Sequence, residues 1–241
     1  MGPWVGLSTA AAAVLATGGL VGLLGAEAIY GAETAEFADI ATAQDVVTLM
    51  VLAPLLVVLG RQAAQGSLRA RLVWLGCLAF AVYNAVIYSF SIQFGPLFLV
   101  WVIGLGLSLV ALIGGLCTLE LGPVKDRFEA ADVSGAAWFL MAVATFFGLL
   151  WLAEIVPDLW QGAPSTSAGA WNVPTNPVHV LDLAFFLPAV FVTGGLLLRR
   201  QPLGYATAPG QLTWLALTCV PIVLRRLLRQ LLPPRVLSRV S

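Results

Sequence analysis

Residues 96–119 read PLFLVWVIGLGLSLVALIGGLCTL, an unbroken apolar run without one charged side chain. A helix needs about 20 apolar residues to cross the hydrocarbon core of a bilayer. Period-two alternation is absent, and the run is too long for a strand of a membrane barrel. A helix is therefore the backbone form that satisfies its own hydrogen bonds there. Six further stretches read the same way: roughly 5–29, 43–60, 70–91, 134–157, 178–198 and 208–226. The expected fold is an all-α polytopic transmembrane helix bundle of about seven spans. Residues 1–241 then form a single transmembrane domain. The second and last stretches are the shortest.

Composition leads to the same class. Hydrophobic residues make up 60% of the 241 positions and charged residues only 10%. Soluble domains are closer to a quarter charged. A charged skin cannot be built from so few ions. This excludes an ordinary soluble enzyme, a disordered chain and a nucleic-acid binder. Cys77, Cys117 and Cys219 sit in separate apolar runs, without a CxxC pair. They read as small apolar residues.

The basic residues set an orientation. Arg61, Arg69 and Arg71 lie between the second and third spans, Lys125 and Arg127 between the fourth and fifth, and Arg199 and Arg200 between the sixth and seventh. The alternate loops, 30–42, 92–95 and 158–177, hold no lysine or arginine. Under the positive-inside rule the N-terminus is cytoplasmic and those three loops face outward. The expected location is the cell (inner or plasma) membrane, with lipid as the surrounding partner. Trp4, Trp74, Trp138 and Trp214 fall near inner ends, and Trp101, Trp151, Trp160 and Trp171 near outer ends, as two aromatic belts would require. Ala26-Glu27-Ala28 imitates a signal-peptide cleavage site, but there is no basic n-region, so the first stretch reads as a retained span.

Weak self-similarity links the two ends of the chain. Glu27 and Glu154 close the first and fifth spans, Pro54 and Pro188 mark the middles of the second and sixth, and Trp74 and Trp214 open the third and seventh. The separations are 127, 134 and 140 residues. They suggest a parallel repeat with halves 1–119 and 134–230. Such a repeat calls for an eighth span after residue 230. Instead Arg225, Arg226, Arg229, Arg235 and Arg239 form a basic tail on the expected outer side. Three readings stay open: an inner-surface amphipathic helix, a local failure of the charge rule, or a truncated or frame-altered eight-span chain.

Asp45-Val46-Val47-Thr48 running to Pro54, Tyr83-Asn84 through Trp101, and His179-Val180-Leu181-Asp182-Leu183 to Pro188 with Arg199-Arg200-Gln201-Pro202-Leu203-Gly204-Tyr205 carry a resemblance. Over residues 40–220 the chain resembles a family of uncharacterised bacterial integral membrane proteins. The resemblance implies membrane location, no established activity and a chain that continues for another span, a pattern from which this sequence departs at the tail.

Ionisable groups within a bilayer are costly and usually face the bundle interior. Eight of the twelve acids lie toward the outer side: Glu27, Glu33, Glu36, Asp39, Asp45, Glu154, Asp158 and Asp182. Glu33, Glu36 and Asp39 read as a solvated loop, with Asp158 similar. Glu27, Asp45, Glu154 and Asp182 enter the spans. At the same depth lie Asn84 and Tyr88, which share a helix face, and His179, which shares one with Asp182. These seven are the candidate substrate- or ion-binding residues. Pro54 and Pro188 are candidate kinks. The plain alternatives are an N-cap at Asp45, interhelical hydrogen bonds at Asn84 and the tyrosines, and a headgroup-layer site for His179. Gly18, Gly22 and Ala26, and likewise Gly104 and Ser108, form small-residue faces suited to close packing or a homo-oligomer.

No intramembrane lysine is present to hold retinal, no histidine pair to hold haem, and no GxxxxGK[ST], HExxH or GxSxG. No cofactor, metal or catalytic residue is assigned. Three functions remain, in order: a small secondary transporter or permease with an outward-facing acidic and polar pocket for an unknown small molecule or ion, a non-catalytic scaffold or sensor, and a membrane-embedded enzyme on a lipid or quinone-like substrate.

Overall fold

A computed structural model describes residues 1–231. Of the expected basic tail, 227–241, the part beyond residue 231 lies outside the described residues. Among the described residues the chain is all-helical, and seven helices are long and apolar enough to cross a membrane. The protein is a multi-pass integral membrane protein.

The first span is α1 (Gly2–Leu24). It ends at Gly25, earlier than hydrophobicity alone suggests, and a short α2 (Ala26–Tyr30) follows. Glu27 therefore sits on α2, beyond the first span. The second span is a 30-residue unit from Ala35 to Ala64. It comprises α3 (Ala35–Val47), a π-helical turn (Thr48–Leu52) and α4 (Ala53–Ala64). This corrects the reading of 30–42 as plain loop. Thr34 caps α3 by accepting from the Phe37 N–H at 3.2 Å, and it supplies an acceptor that the helix start otherwise lacks. Glu36 and Asp39 are thus helical residues.

The third span is α5 (Leu68–Ser91) and the fourth is α6 (Phe98–Cys117). A short α7 (Leu121–Phe128) leads to the fifth, α8 (Ser134–Gln161). α9 (Thr166–Ala170) precedes the sixth span, which runs through α10 (Pro177–Leu181), a second π turn (Asp182–Phe186) and α11 (Leu187–Leu198). The seventh is α12 (Pro202–Leu231), a single helix through the last apolar stretch and the first arginines.

Both π turns end two residues before a proline, with Ala53 or Leu187 between. Proline has no N–H and its ring clashes with the carbonyl four residues back. Widening the turn moves that carbonyl aside. The Ala53 N–H accordingly reaches Thr48 O, and the Leu187 N–H reaches Asp182 O, five residues back in each case. Such turns re-aim the side chains that flank them.

The first four spans form a ring in which the first and third each pack on the second and fourth. The seventh packs on the third and the start of the second, the sixth on the seventh, and the fifth mainly on the sixth. The third span is accordingly the most buried and the fifth the least. Glycines permit the close crossings. A Cβ on Gly18 would strike Trp101, one on Gly104 would strike Leu15, and one on Gly76 would lie 2.5 Å from Gly210 O and 2.7 Å from Thr213 Cβ. Gly18, Gly22, Gly104 and Ser108 are buried within the chain, so these small-residue faces serve contacts between its own helices. The tryptophans divide differently from two belts. Trp138 and Trp160 are exposed, whereas Trp74, Trp101 and Trp214 fill space in the bundle against small residues and other rings.

The ends of the bundle differ in charge. One end carries Arg61, Arg69, Lys125, Arg127, Arg199 and Arg200, partly offset by Glu120, Asp126, Glu129 and Asp132, and the other carries Glu33, Glu36, Asp39 and Asp158. They are called the basic and acidic ends below. α12 crosses from the basic to the acidic end, where Arg225 Nη2 lies 3.8 Å from Glu36 Oε1.

Gly76→Val is expected to lower the melting temperature of the detergent-solubilised protein, since overpacking costs about 1–3 kcal/mol. Gly106→Ala, where an added Cβ meets nothing within 4 Å, serves as the control. Equal melting of the two variants would argue against a tight α5–α12 crossing.

Candidate functional site

The polar groups at the acidic end form two separate sites. The first is closed. Asp45, on α3, is fully buried. The Tyr30 hydroxyl donates to its Oδ2 at 2.6 Å. The Tyr88 hydroxyl lies 3.0 Å from its Oδ1 and donates also to Ala41 O at 2.9 Å. Burial first, and then the Asp45 carboxylate, raise the Tyr30 pKa, so the phenol keeps its proton and remains a donor. Gly22 faces this cluster directly; a Cβ there would strike Asp45 Oδ2, and it would lie 2.6 Å from the Tyr30 hydroxyl oxygen. The ring of Trp101 meets Tyr88 edge-on, with centroids 4.7 Å apart. The carboxylate is enclosed by α1, α2, α5 and its own helix.

The second site is open. A cavity of about 330 Å³ lies at the acidic end, lined by Glu36 of α3, Trp151 and Glu154 of α8, Trp171, which follows α9, and Asn176 and His179 at the start of the sixth span, among others. Asn176 Oδ1 accepts from the Val178 N–H at 2.9 Å and caps α10; Pro177 supplies the favoured first residue. This presents His179 to the fifth span, where its Nε2 lies 3.7 Å from Glu154 Oε2. The Trp151 and His179 rings are 4.8 Å apart. Trp151 Nε1–H donates to Asp182 Oδ2 at 2.9 Å. Asp182 opens the second π turn and is buried, and its Oδ1 makes no well-formed hydrogen bond. The Tyr83 phenol is the neighbour beside that carboxyl group. Toward the basic end, Tyr83, Phe186 and Trp214 pack as an aromatic trio, with Phe186 stacked on Trp214 at 4.6 Å.

The short helix α9 and its neighbour Trp171 are held down from the opposite side. The Thr34 hydroxyl donates to Ala170 O at 2.7 Å, and Trp171 stacks on Phe37 at 4.7 Å and 17°. Asp158 accepts from the Thr166 N–H at 2.8 Å and so pins the start of α9 to α8. Asp158 thus has a loop-fixing contact that reading it as solvated surface did not anticipate.

Of the seven candidate residues, Glu154 and His179 line the open site, and Asp182 lies buried outside the lining, bonded to Trp151 of the wall. The structure places Asp45 and Tyr88 in the closed one. Asn84 donates to Phe80 O of its own helix at 2.8 Å, and Glu27 is exposed on α2. Pro54 and Pro188 both follow π turns. Glu36, Trp151, Trp171 and Asn176 line the cavity without having been singled out as site residues. The helix start at Thr34, with Phe37, Ala41 and Gln44 at helical spacing, carried the signal for Glu36.

Comparison of the chain with known protein families, curated proteins and solved structures finds no match.

Removing a donor from a buried carboxylate costs about 1–3 kcal/mol. Tyr88→Phe is expected to destabilise the wild-type protein by that order and to cost clearly less in an Asp45→Leu background. A double-mutant cycle on detergent melting measures the coupling; purely additive effects would contradict the closed cluster.

Proposed function

We propose that the protein is a small secondary transporter of the cytoplasmic membrane, with its N-terminus inside and the cavity open to the outside. The cavity carries this reading. It is an opening at the acidic end that brings a histidine and a carboxylate from two different spans within 3.7 Å. Behind its wall lies a second, buried carboxyl group, Asp182, bonded to Trp151. Ligand sites of this kind are concave, with a few converging polar groups in a largely apolar wall.

The interrupted helices support the same reading. Thr48–Leu52 and Asp182–Phe186 are π turns at corresponding distances before Pro54 and Pro188. Both pairs are 134 residues apart, in keeping with two related halves. Broken helices at matching positions of two repeats are where transporters expose backbone groups to cargo. In this reading Glu154 and His179 receive the substrate, Asp182 couples it to a proton or cation, and the Tyr83–Phe186–Trp214 trio closes the route toward the basic end. The arginine-poor loops at the cavity end support the outward orientation.

The closed Asp45 cluster favours a second reading, a receptor or scaffold. There an intramembrane acid is wholly occupied in holding helices together, and the open site then binds without transport.

Alternating access separates the two. In a background with Cys77, Cys117 and Cys219 replaced, Ala170→Cys on the cavity wall is expected to react with a membrane-impermeant thiol reagent in intact cells. Phe186→Cys, one turn nearer the basic end than Asp182, is expected to react in inside-out vesicles. Protection of Phe186→Cys from both sides, with Ala170→Cys labelled from outside, would establish the receptor reading instead. Labelling of Ala170→Cys from the inside alone would reverse the orientation.

A further inference from the structure

The chemistry of the cavity wall points to a substrate class. The acids lining it are Glu36 and Glu154. Among the described residues no lysine or arginine lines it. Arg225 approaches Glu36 at 3.8 Å, whereas Glu154 has the His179 imidazole beside it at 3.7 Å, a distance too long for a hydrogen bond. The Glu154 side chain is 38% exposed, so a partly solvated carboxylate faces the cavity.

The aromatic groups are placed to match. Trp151 and Trp171 both line the cavity and both are half-buried. Each is fixed by a contact outside it. Trp151 is held by its Nε1–H bond to Asp182, and Trp171 by its stack on Phe37. Two immobilised indoles beside an acid give a cation–π wall with a counter-charge. That combination recognises alkylated ammonium groups, which are too weakly hydrated to be held well by water and too bulky for an oxygen cage. A volume of about 330 Å³ is at the small end of ligand pockets. It suits a compact amine and not a lipid-sized molecule. A metal ion fits less well, since no group of three ligating side chains is assembled among the described residues.

We infer that the cavity binds a small organic cation, an amine or quaternary ammonium compound, between Trp151 and Trp171 with Glu154 as its counter-ion. The inference rests on the cavity's being a ligand site, as in the proposed function, but it does not require transport.

The test is calorimetric titration of the purified full-length protein in detergent with tetramethylammonium, choline and n-butylammonium. 3,3-Dimethylbutanol serves as the uncharged isostere of choline. Saturable binding of at least one cation and none of the alcohol is expected. Glu154→Gln is expected to weaken binding at least ~10-fold. Trp171→Leu is expected to weaken it roughly 5- to 30-fold, the equivalent of one to two kcal/mol of cation–π attraction. Glu27→Gln, an acid at the same end but outside the cavity lining, should leave binding unchanged. All variants are compared at equal melting temperature, with Trp171→Phe as the partial rescue if Trp171→Leu folds poorly. Absence of saturable binding by all three cations, equal binding of dimethylbutanol, or unaltered affinity in both cavity variants would overturn the inference. The outcome is independent of the labelling experiment. A cation can bind in a chain whose Phe186→Cys stays protected, and labelling from both sides without cation binding would leave transport standing and remove this substrate class.

Discussion

A carboxyl group with no access to solvent dominates the first half of the molecule. Burying a polar or charged group in an apolar interior is costly unless its hydrogen bonds are replaced. At Asp45 two phenols replace them, and they come from different elements, Tyr30 of α2 and Tyr88 of α5. Meeting that need draws α2 and the second and third spans to one point. The first span can join them only because Gly22 has no side chain to collide with the carboxylate. Trp101 of the fourth span then packs across Tyr88 and over Gly18. The four-span ring is thus organised around one acid, and the second half attaches to it through the Gly76–Gly210 crossing.

The same backbone device has different consequences in the two halves. A proline forces a π turn in the second and in the sixth span. At Thr48 the turn is closed over by a hydrogen bond from Gln44 Nε2 at 3.1 Å and by the first span. At Asp182 the neighbours are Trp151 and Tyr83, and the space above is a cavity. The fifth span rests mainly on the sixth and not on the ring. Only α9, Trp171 and the start of α3 complete the wall on the other side. Openness arises there from sparse packing.

Several features were readable from residues alone. The spans were visible because hydrophobic length is a local property. Asp45 and Asp182 stood out because acids are rare in such segments. Their different surroundings were not readable, since both are acids in apolar spans toward one end of the bundle, with a proline nine or six residues later. Asn84 and Tyr88 share a face in sequence, yet Asn84 turns back to its own helix while Tyr88 crosses to Asp45. Glu36 resembles a loop residue because its stretch is polar, although Thr34 marks a helix start there. Trp171 lies in the connection between the fifth and sixth spans, and Thr34 and Phe37 hold it against the cavity.

The sequence by itself determined the class of protein, the number of spans and the gathering of acids at one end. These follow from requirements each segment meets alone: enough apolar length, and backbone bonds closed within the helix. Tertiary structure decided which acids are sealed and which are open, and which tryptophans pack inside and which line a cavity. The reason is specific to membranes. Lipid-facing and helix-facing surfaces are equally apolar, so the periodicity that reveals the inner face of a soluble helix is missing here. Only the packing of glycines, phenols and indoles against one another sorts inside from outside.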